Sequence, residues 1–122
     1  MWLRDLFRPA PEIRTERRVT FLREQDGPPE RELKEALARD FAASGRVVRA
    51  YLVQVDFPRD GSNGVALCVR APGADEAAVV RQVAAPFAAM FATKVPLDVM
   101  FLSPRQELEL QKVCAPFYSR AP

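Results

Sequence analysis

Hydrophobic residues in this chain repeat with two alternating periods, and this constrains the fold more than any other feature. In some segments every second residue is apolar, which is typical of a strand, and in others every third or fourth, which is typical of a helix. The strands are predicted at 19–24, 47–57, 65–71 and 97–102, and the helices at 30–43, 75–92 and 104–113. The elements therefore follow the order β-α-β-β-α-β, with one more helix after them.

Turn and cap residues support several of these boundaries. Ser44 and Gly45 are expected to end the first helix, because glycine favours the C-terminal cap position. Ser103 followed by Pro104 is a typical start for the last helix. Pro86 lies inside the second helix and predicts a kink or a break there.

This element order predicts an α+β fold of the ferredoxin-like type. Such a fold has a four-stranded antiparallel sheet with two helices on one face, and the last helix is additional here. Residues 1–17 are predicted to be an N-terminal arm, and 18–122 the domain. In the arm, Trp2, Leu3, Leu6 and Phe7 share one face of a short helix. That helix either docks on its own domain or a neighbouring subunit, or lies on a membrane surface.

Composition excludes several classes of function. The chain has 18 basic and 16 acidic residues, a balance that does not predict a nucleic-acid partner. It has no histidine, the commonest general base and metal ligand, so we expect no enzyme, no metal and no cofactor. No apolar run is long enough for a membrane span. Cys68 and Cys114 fit no close-spaced metal or redox pattern. Cys68 lies in an apolar run, so a reduced, buried thiol is expected there, and the cytoplasm is the expected compartment.

Alternation along the strands divides their residues between two faces. The set expected to meet the helices is uniformly apolar: Val19, Phe21, Tyr51, Val53, Val55, Val65, Leu67, Val69, Leu97, Val99 and Phe101. The opposite set is mixed: Leu22, Ala50, Leu52, Gln54, Ala66, Cys68, Arg70, Met100 and Leu102, with Asp56 and Asp98. An apolar centre with a polar rim is typical of an interface. We therefore predict that Leu52, Gln54, Arg70 and Met100 bind a protein partner or form a homodimer, unless the arm or the last helix covers this face.

Charged residues offer one alternative site. Those of the first and last helices, including Lys34, Glu107 and Glu109, are expected to form solvated ion pairs. Asp26 and Gly27 follow the first strand, where amino-acid-sensing versions of this fold bind their ligands. They are the predicted site if the domain is instead a sensor of a small molecule such as serine.

The C-terminal third resembles a known family. Pro96-Leu-Asp-Val-Met-Phe-Leu102, a polar helix and Ala115-Pro-Phe-Tyr-Ser-Arg120 resemble the end of the C-terminal domain of the SseB (enhanced serine sensitivity) family. The strand Ala50-Tyr-Leu-Val-Gln-Val55 resembles the same domain, and the likeness covers 28–120. Family members commonly carry a separate N-terminal domain, whereas here only the short arm precedes the likeness. A stand-alone version of the domain is therefore expected. The resemblance implies no enzymatic chemistry.

The Pro-Phe-Tyr segment has two physical interpretations. After a helix, a proline redirects the chain, and Phe117 and Tyr118 then either clip it back onto the domain or line a recognition surface. In the second case they are additional partner-binding residues.

Overall fold

A mixed sheet forms the centre of the fold and carries helices on both faces. The computed structural model describes residues 12–14, 19–57, 62–90 and 97–120. The strands are β1 (Glu12–Arg14), β2 (Thr20–Glu24), β3 (Arg49–Phe57), β4 (Ser62–Arg70), β5 (Asp98–Phe101) and β6 (Tyr118–Ser119). The helices are α1 (Pro28–Ser44), α2 (Glu76–Met90) and α3 (Pro104–Gln111). The helix predicted around Trp2 lies outside the described residues.

Strand order confirms the α+β class and corrects the predicted topology. The order is β1-β5-β4-β3-β2, with β6 beside the first residues of β3. β2, β3 and β4 are antiparallel neighbours, whereas β5 lies parallel to both β4 and β1. The predicted all-antiparallel sheet is therefore wrong, because the crossover through α2 places β5 parallel to β4. β1 was not predicted as a strand.

One face of the sheet carries α1 and α2. α1 ends at Gly45, whose φ of 70° is the left-handed cap conformation and whose N–H donates to the carbonyl of Phe41 at 2.9 Å. α2 runs through Pro86 as one helix, so the proline does not split it. The core beneath these helices consists of Leu33, Leu37, Phe41, Val47, Ala50, Leu52, Leu67, Val69, Val79, Val80, Val83, Leu97 and Val99.

The other face is covered by α3 and by the chain that follows it. Its core consists of Tyr51, Val53, Val55, Ala66, Cys68, Met100, Leu102, Leu110 and Cys114, with Val19 and Phe21 packed against it. The predicted faces of β4 and β5 agree with this arrangement. Those of β2 and β3 are reversed, because the register places Leu52 beside Leu67 and Tyr51 beside Cys68. Both alternating sets of β3 are apolar because helices cover both faces of the sheet.

Candidate functional site

The helix α3 begins with a complete capping box. The Ser103 hydroxyl accepts a hydrogen bond from the Gln106 backbone N–H at 3.1 Å, and the Gln106 side chain accepts one from the Ser103 N–H at 2.9 Å. Pro104 occupies the first turn, where its missing N–H costs nothing. The predicted start of this helix is therefore confirmed.

A buried carboxylate anchors α3 to the sheet. Glu107 is 5% exposed and accepts two hydrogen bonds from the Arg49 guanidinium, one of them at 2.9 Å, and one from the Tyr51 hydroxyl. Arg70 adds a longer ion pair at 3.6 Å, and the Gln111 amide donates to the Tyr51 oxygen at 2.9 Å. Side chains of β3 and β4 thus hold α3 through a single carboxylate.

Electrostatics fix the protonation states of this network. The hydrogen bonds from Arg49 lower the pKa of Glu107 below the ordinary carboxyl value, despite the opposing effect of its burial. Burial, followed by the hydrogen bond to Glu107, raises the pKa of Tyr51 to about 12. At neutral pH Glu107 is therefore ionised and Tyr51 protonated, so the network holds the helix rather than transferring protons.

The expectation that Glu107 is solvated is wrong. Glu107, Leu110 and Cys114 are all buried on the sheet side of α3. Their spacing of three and then four residues places them on one helical face. This spacing was the sequence signal that the carboxylate faces inward.

A groove lies between α3 and β2. Its volume is about 410 Å³, within the range of roughly 300–1,000 Å³ usual for binding pockets. Its lining residues are Val19, Thr20, Phe21, Arg105, Gln106, Glu109, Lys112 and Val113. Val19 and Phe21 are half-buried, and charged side chains of α3 stand on the opposite wall. The groove therefore combines an apolar wall with a charged one.

Two exposed apolar side chains lie in or beside this groove. In the described part of the chain, the exposed large hydrophobic residues are Leu108 at 66% and Val113 at 39%. Val113 lines the groove, and Leu108 is three residues from Arg105 and four from Lys112, which places it on the same side of the helix. We call the groove residues together with Leu108 the α3–β2 surface.

The charges of the α3–β2 surface are unevenly paired. Lys112 and Glu109 form an exposed ion pair at 3.2 Å. Arg105 makes no hydrogen bond or ion pair with any residue that the structure describes. The surface therefore carries one basic side chain whose hydrogen-bond donors are available to a ligand.

The structure separates the predicted partner-binding residues. Leu52 is buried beneath α1 and α2, and Gln54, two residues further along β3, is half-buried on the same face. Met100 is buried on the α3 face, and Arg70 contacts Glu107 there. The prediction of one open face containing all four is wrong, because α3 covers the face on which Arg70 and Met100 lie.

Phe117 and Tyr118 close the C-terminal segment onto the domain. The Phe117 N–H donates to the carbonyl of Ala50 at 2.9 Å, and the Tyr118 ring contacts that of Phe41 at 5.8 Å between centroids. Both side chains are half-buried against the α1–α2 core. These contacts confirm the clip, and binding of a partner by the same two side chains stays a prediction.

The Asp26 carboxylate is held by cations of its own chain. It accepts hydrogen bonds from Arg31 at 3.1 Å and from Lys34 at 3.2 Å, and Arg31 contributes most to lowering its pKa. Lys34 is buried and also contacts Glu24 at 3.0 Å, which corrects the expectation that it is solvated. Gly27 caps the start of α1 in an extended conformation. An amino-acid ligand at this loop would have to displace the existing ion pairs.

Comparison with protein families identifies the chain. The family model described as "SseB protein C-terminal domain" matches residues 13–120. The chain belongs to the SseB C-terminal domain family. The match confirms the resemblance and extends it to β2 and the end of β1, so the groove between β2 and α3 lies within the SseB domain. Comparisons with curated proteins and with solved structures found no match. Among the described residues, no helix is long and apolar enough to cross a membrane.

Proposed function

We propose that this SseB C-terminal domain is a non-enzymatic interaction module that binds a protein partner through the α3–β2 surface. The observation that carries the proposal is that the exposed Val113 lines the groove and the exposed Leu108 lies beside it on the outer side of α3. Exposed apolar side chains bordered by charged ones are the usual anatomy of a protein interface. A second copy of the chain is the other candidate partner.

The anchoring of α3 supports this role. An interface binds more tightly when its residues are already held in the bound geometry, since less conformational entropy is lost. The capping box fixes the first turn of α3, and Glu107 ties the helix to β3 and β4. The α3–β2 surface is therefore preformed.

The chemistry of the surface supports a binding role rather than a catalytic one. Its charged residues Arg105, Glu109 and Lys112 are exposed, and Glu109 is paired with Lys112. The groups with shifted pKa values nearest to α3, Glu107 and Tyr51, are buried between α3 and the sheet and bonded to each other. They stabilise the fold and do not line the groove.

Quantitative capture from a lysate of the source organism tests this proposal. The bait proteins are the wild type, Val113→Asp and the control Arg81→Asp, which alters an exposed residue of α2 on the opposite face of the sheet. We expect a protein that is retained by the wild type and by Arg81→Asp and lost with Val113→Asp. Equal capture by all three baits would contradict the proposal. Sedimentation of the same proteins shows whether the captured partner is a second copy.

A further inference from the structure

We infer that the partner presents an acidic amphipathic helix to the α3–β2 surface. This inference rests on the proposed function and adds the chemistry of the bound segment. Its basis is the stripe formed by Arg105, Leu108 and Lys112 on the outer side of α3, in which an exposed apolar side chain lies between two basic ones.

Charge favours an acidic occupant. The lining residues include two cations and one anion, and the anion Glu109 is already paired with Lys112 at 3.2 Å. Arg105 has no ion-pair partner among the described residues and can donate to a carboxylate in a bidentate geometry.

The spacing of the stripe suits a helix. Arg105 and Lys112 are seven residues apart, which is about 10.5 Å along a helix axis. A partner helix with carboxylates seven residues apart matches this distance on one face. One carboxylate then meets Arg105, the other competes with Glu109 for the exposed Lys112, and a leucine between them faces Leu108. The exposed Leu108 and the complementary end charges then contribute to the same contact.

The same stripe argues against a second copy as the occupant. If two α3 helices packed antiparallel about Leu108, Arg105 of one copy would face Lys112 of the other. Like charges placed opposite each other across an interface are unfavourable. A partner that carries acidic residues at these positions avoids this repulsion.

Fluorescence anisotropy with two designed peptides tests the inference. Each labelled peptide is about 21 residues long, so that a helix can form, with leucines on one face. In the acidic peptide, most of the remaining positions are glutamate. In the basic peptide, the same positions are lysine. We expect the acidic peptide to bind the full chain at least about tenfold more tightly than the basic one, and less tightly as salt is raised.

Matched variants assign the binding to the surface. We expect Arg105→Glu to weaken binding of the acidic peptide about tenfold, and Arg39→Glu, on the exposed side of α1, to leave it unchanged. Arg105 lies in the first turn of α3, where an acidic residue favours the helix, so this variant is expected to fold.

Equal binding of both peptides, or no effect of Arg105→Glu, would overturn the acidic-helix inference while leaving the proposed function in place. Absence of binding by either peptide at about 1 mM would also overturn the inference, since the contact would then contribute less than about 4 kcal/mol of binding free energy. The proposed function is then decided separately, because the Val113→Asp capture experiment does not depend on the charge of the partner.

Discussion

Replacing Glu107 with glutamine should destabilise the domain far more than the same change two residues later. Glu107→Gln removes the charge that pairs with Arg49 and Arg70 and leaves a weaker acceptor for the Tyr51 hydroxyl. Breaking a buried ion pair costs about 3–5 kcal/mol. The Arg49 side chain is 36% exposed, so water compensates in part, and we expect a loss of about 2–3 kcal/mol in the free energy of unfolding.

Glu109→Gln is the matched control, because Glu109 lies on the same helix in an exposed ion pair with Lys112. Exposed pairs contribute about 0–1 kcal/mol, so we expect a change below about 0.5 kcal/mol. Urea unfolding followed by circular dichroism at pH 7 measures both values. For a domain of this size, the loss at Glu107 corresponds to a fall in Tm on the order of 10 °C. Similar losses for the two variants would refute the assignment of Glu107 as the anchor of α3.

The same variant changes the response to acid. The pKa of Glu107 is lower in the folded than in the unfolded chain, so the unfolded state binds more protons as the pH falls. The stabilisation is complete above the ordinary carboxyl pKa and is lost as the pH decreases through the folded value. We therefore expect the difference in unfolding free energy between wild type and Glu107→Gln to shrink below about pH 4. A difference that is constant from pH 7 to pH 3 would contradict this account.

Three further predictions concern other residues. In a Tyr118→Phe background, where Tyr51 is the remaining tyrosine, ultraviolet absorbance should give a pKa of about 12 for Tyr51, and the stability that its hydroxyl contributes should decline above pH 10. A pKa near 10 would show that the hydroxyl is solvated. Ser103→Ala should lower the free energy of unfolding in urea by about 1 kcal/mol, whereas the control Ser119→Ala, at an exposed serine, should change it by no more than about 0.5 kcal/mol. Equal changes would argue against the capping box. Because Asp26 is held by cations of its own chain, we expect none of the twenty amino acids to raise the Tm, whereas a ligand at 100 times its Kd would stabilise the fold by about 2.7 kcal/mol. An increase in Tm that Asp26→Asn abolishes would support the sensor alternative.

Local periodicity predicted the elements well. The strand at 19–24 is found at Thr20–Glu24, and the helix at 30–43 is found at Pro28–Ser44, with Gly45 as its cap. These features depend on residues close together in the chain, and cap chemistry acts over a few residues only. The likeness to the SseB domain was also visible, because its Pro-Phe-Tyr ending and strand pattern are local.

The faces of the sheet depend on distant contacts and were harder to predict. In β3 both alternating sets are apolar, so Tyr51 and Leu52 gave no indication of which residue meets which helix. The decisive information is the register between β3 and β4 and the position of α3, neither of which local pattern specifies. The local spacing of Glu107, Leu110 and Cys114 indicated that the carboxylate faces inward, but its two arginine partners could not be predicted, since they are supplied by strands far away in the sequence. An open face was predicted because the strand pattern alone does not show that α3 covers the second face of the sheet.

Site-specific photocrosslinking tests the α3–β2 surface most directly. A photoreactive amino acid replaces Val113 in one protein and Arg81, on α2, in the control, and both are irradiated in cells of the source organism. We expect a discrete crosslinked protein, identified by mass spectrometry, from position 113 and none from position 81. The same adduct from both positions, or adducts only from position 81, would contradict the claim that this surface is where the domain binds its partner.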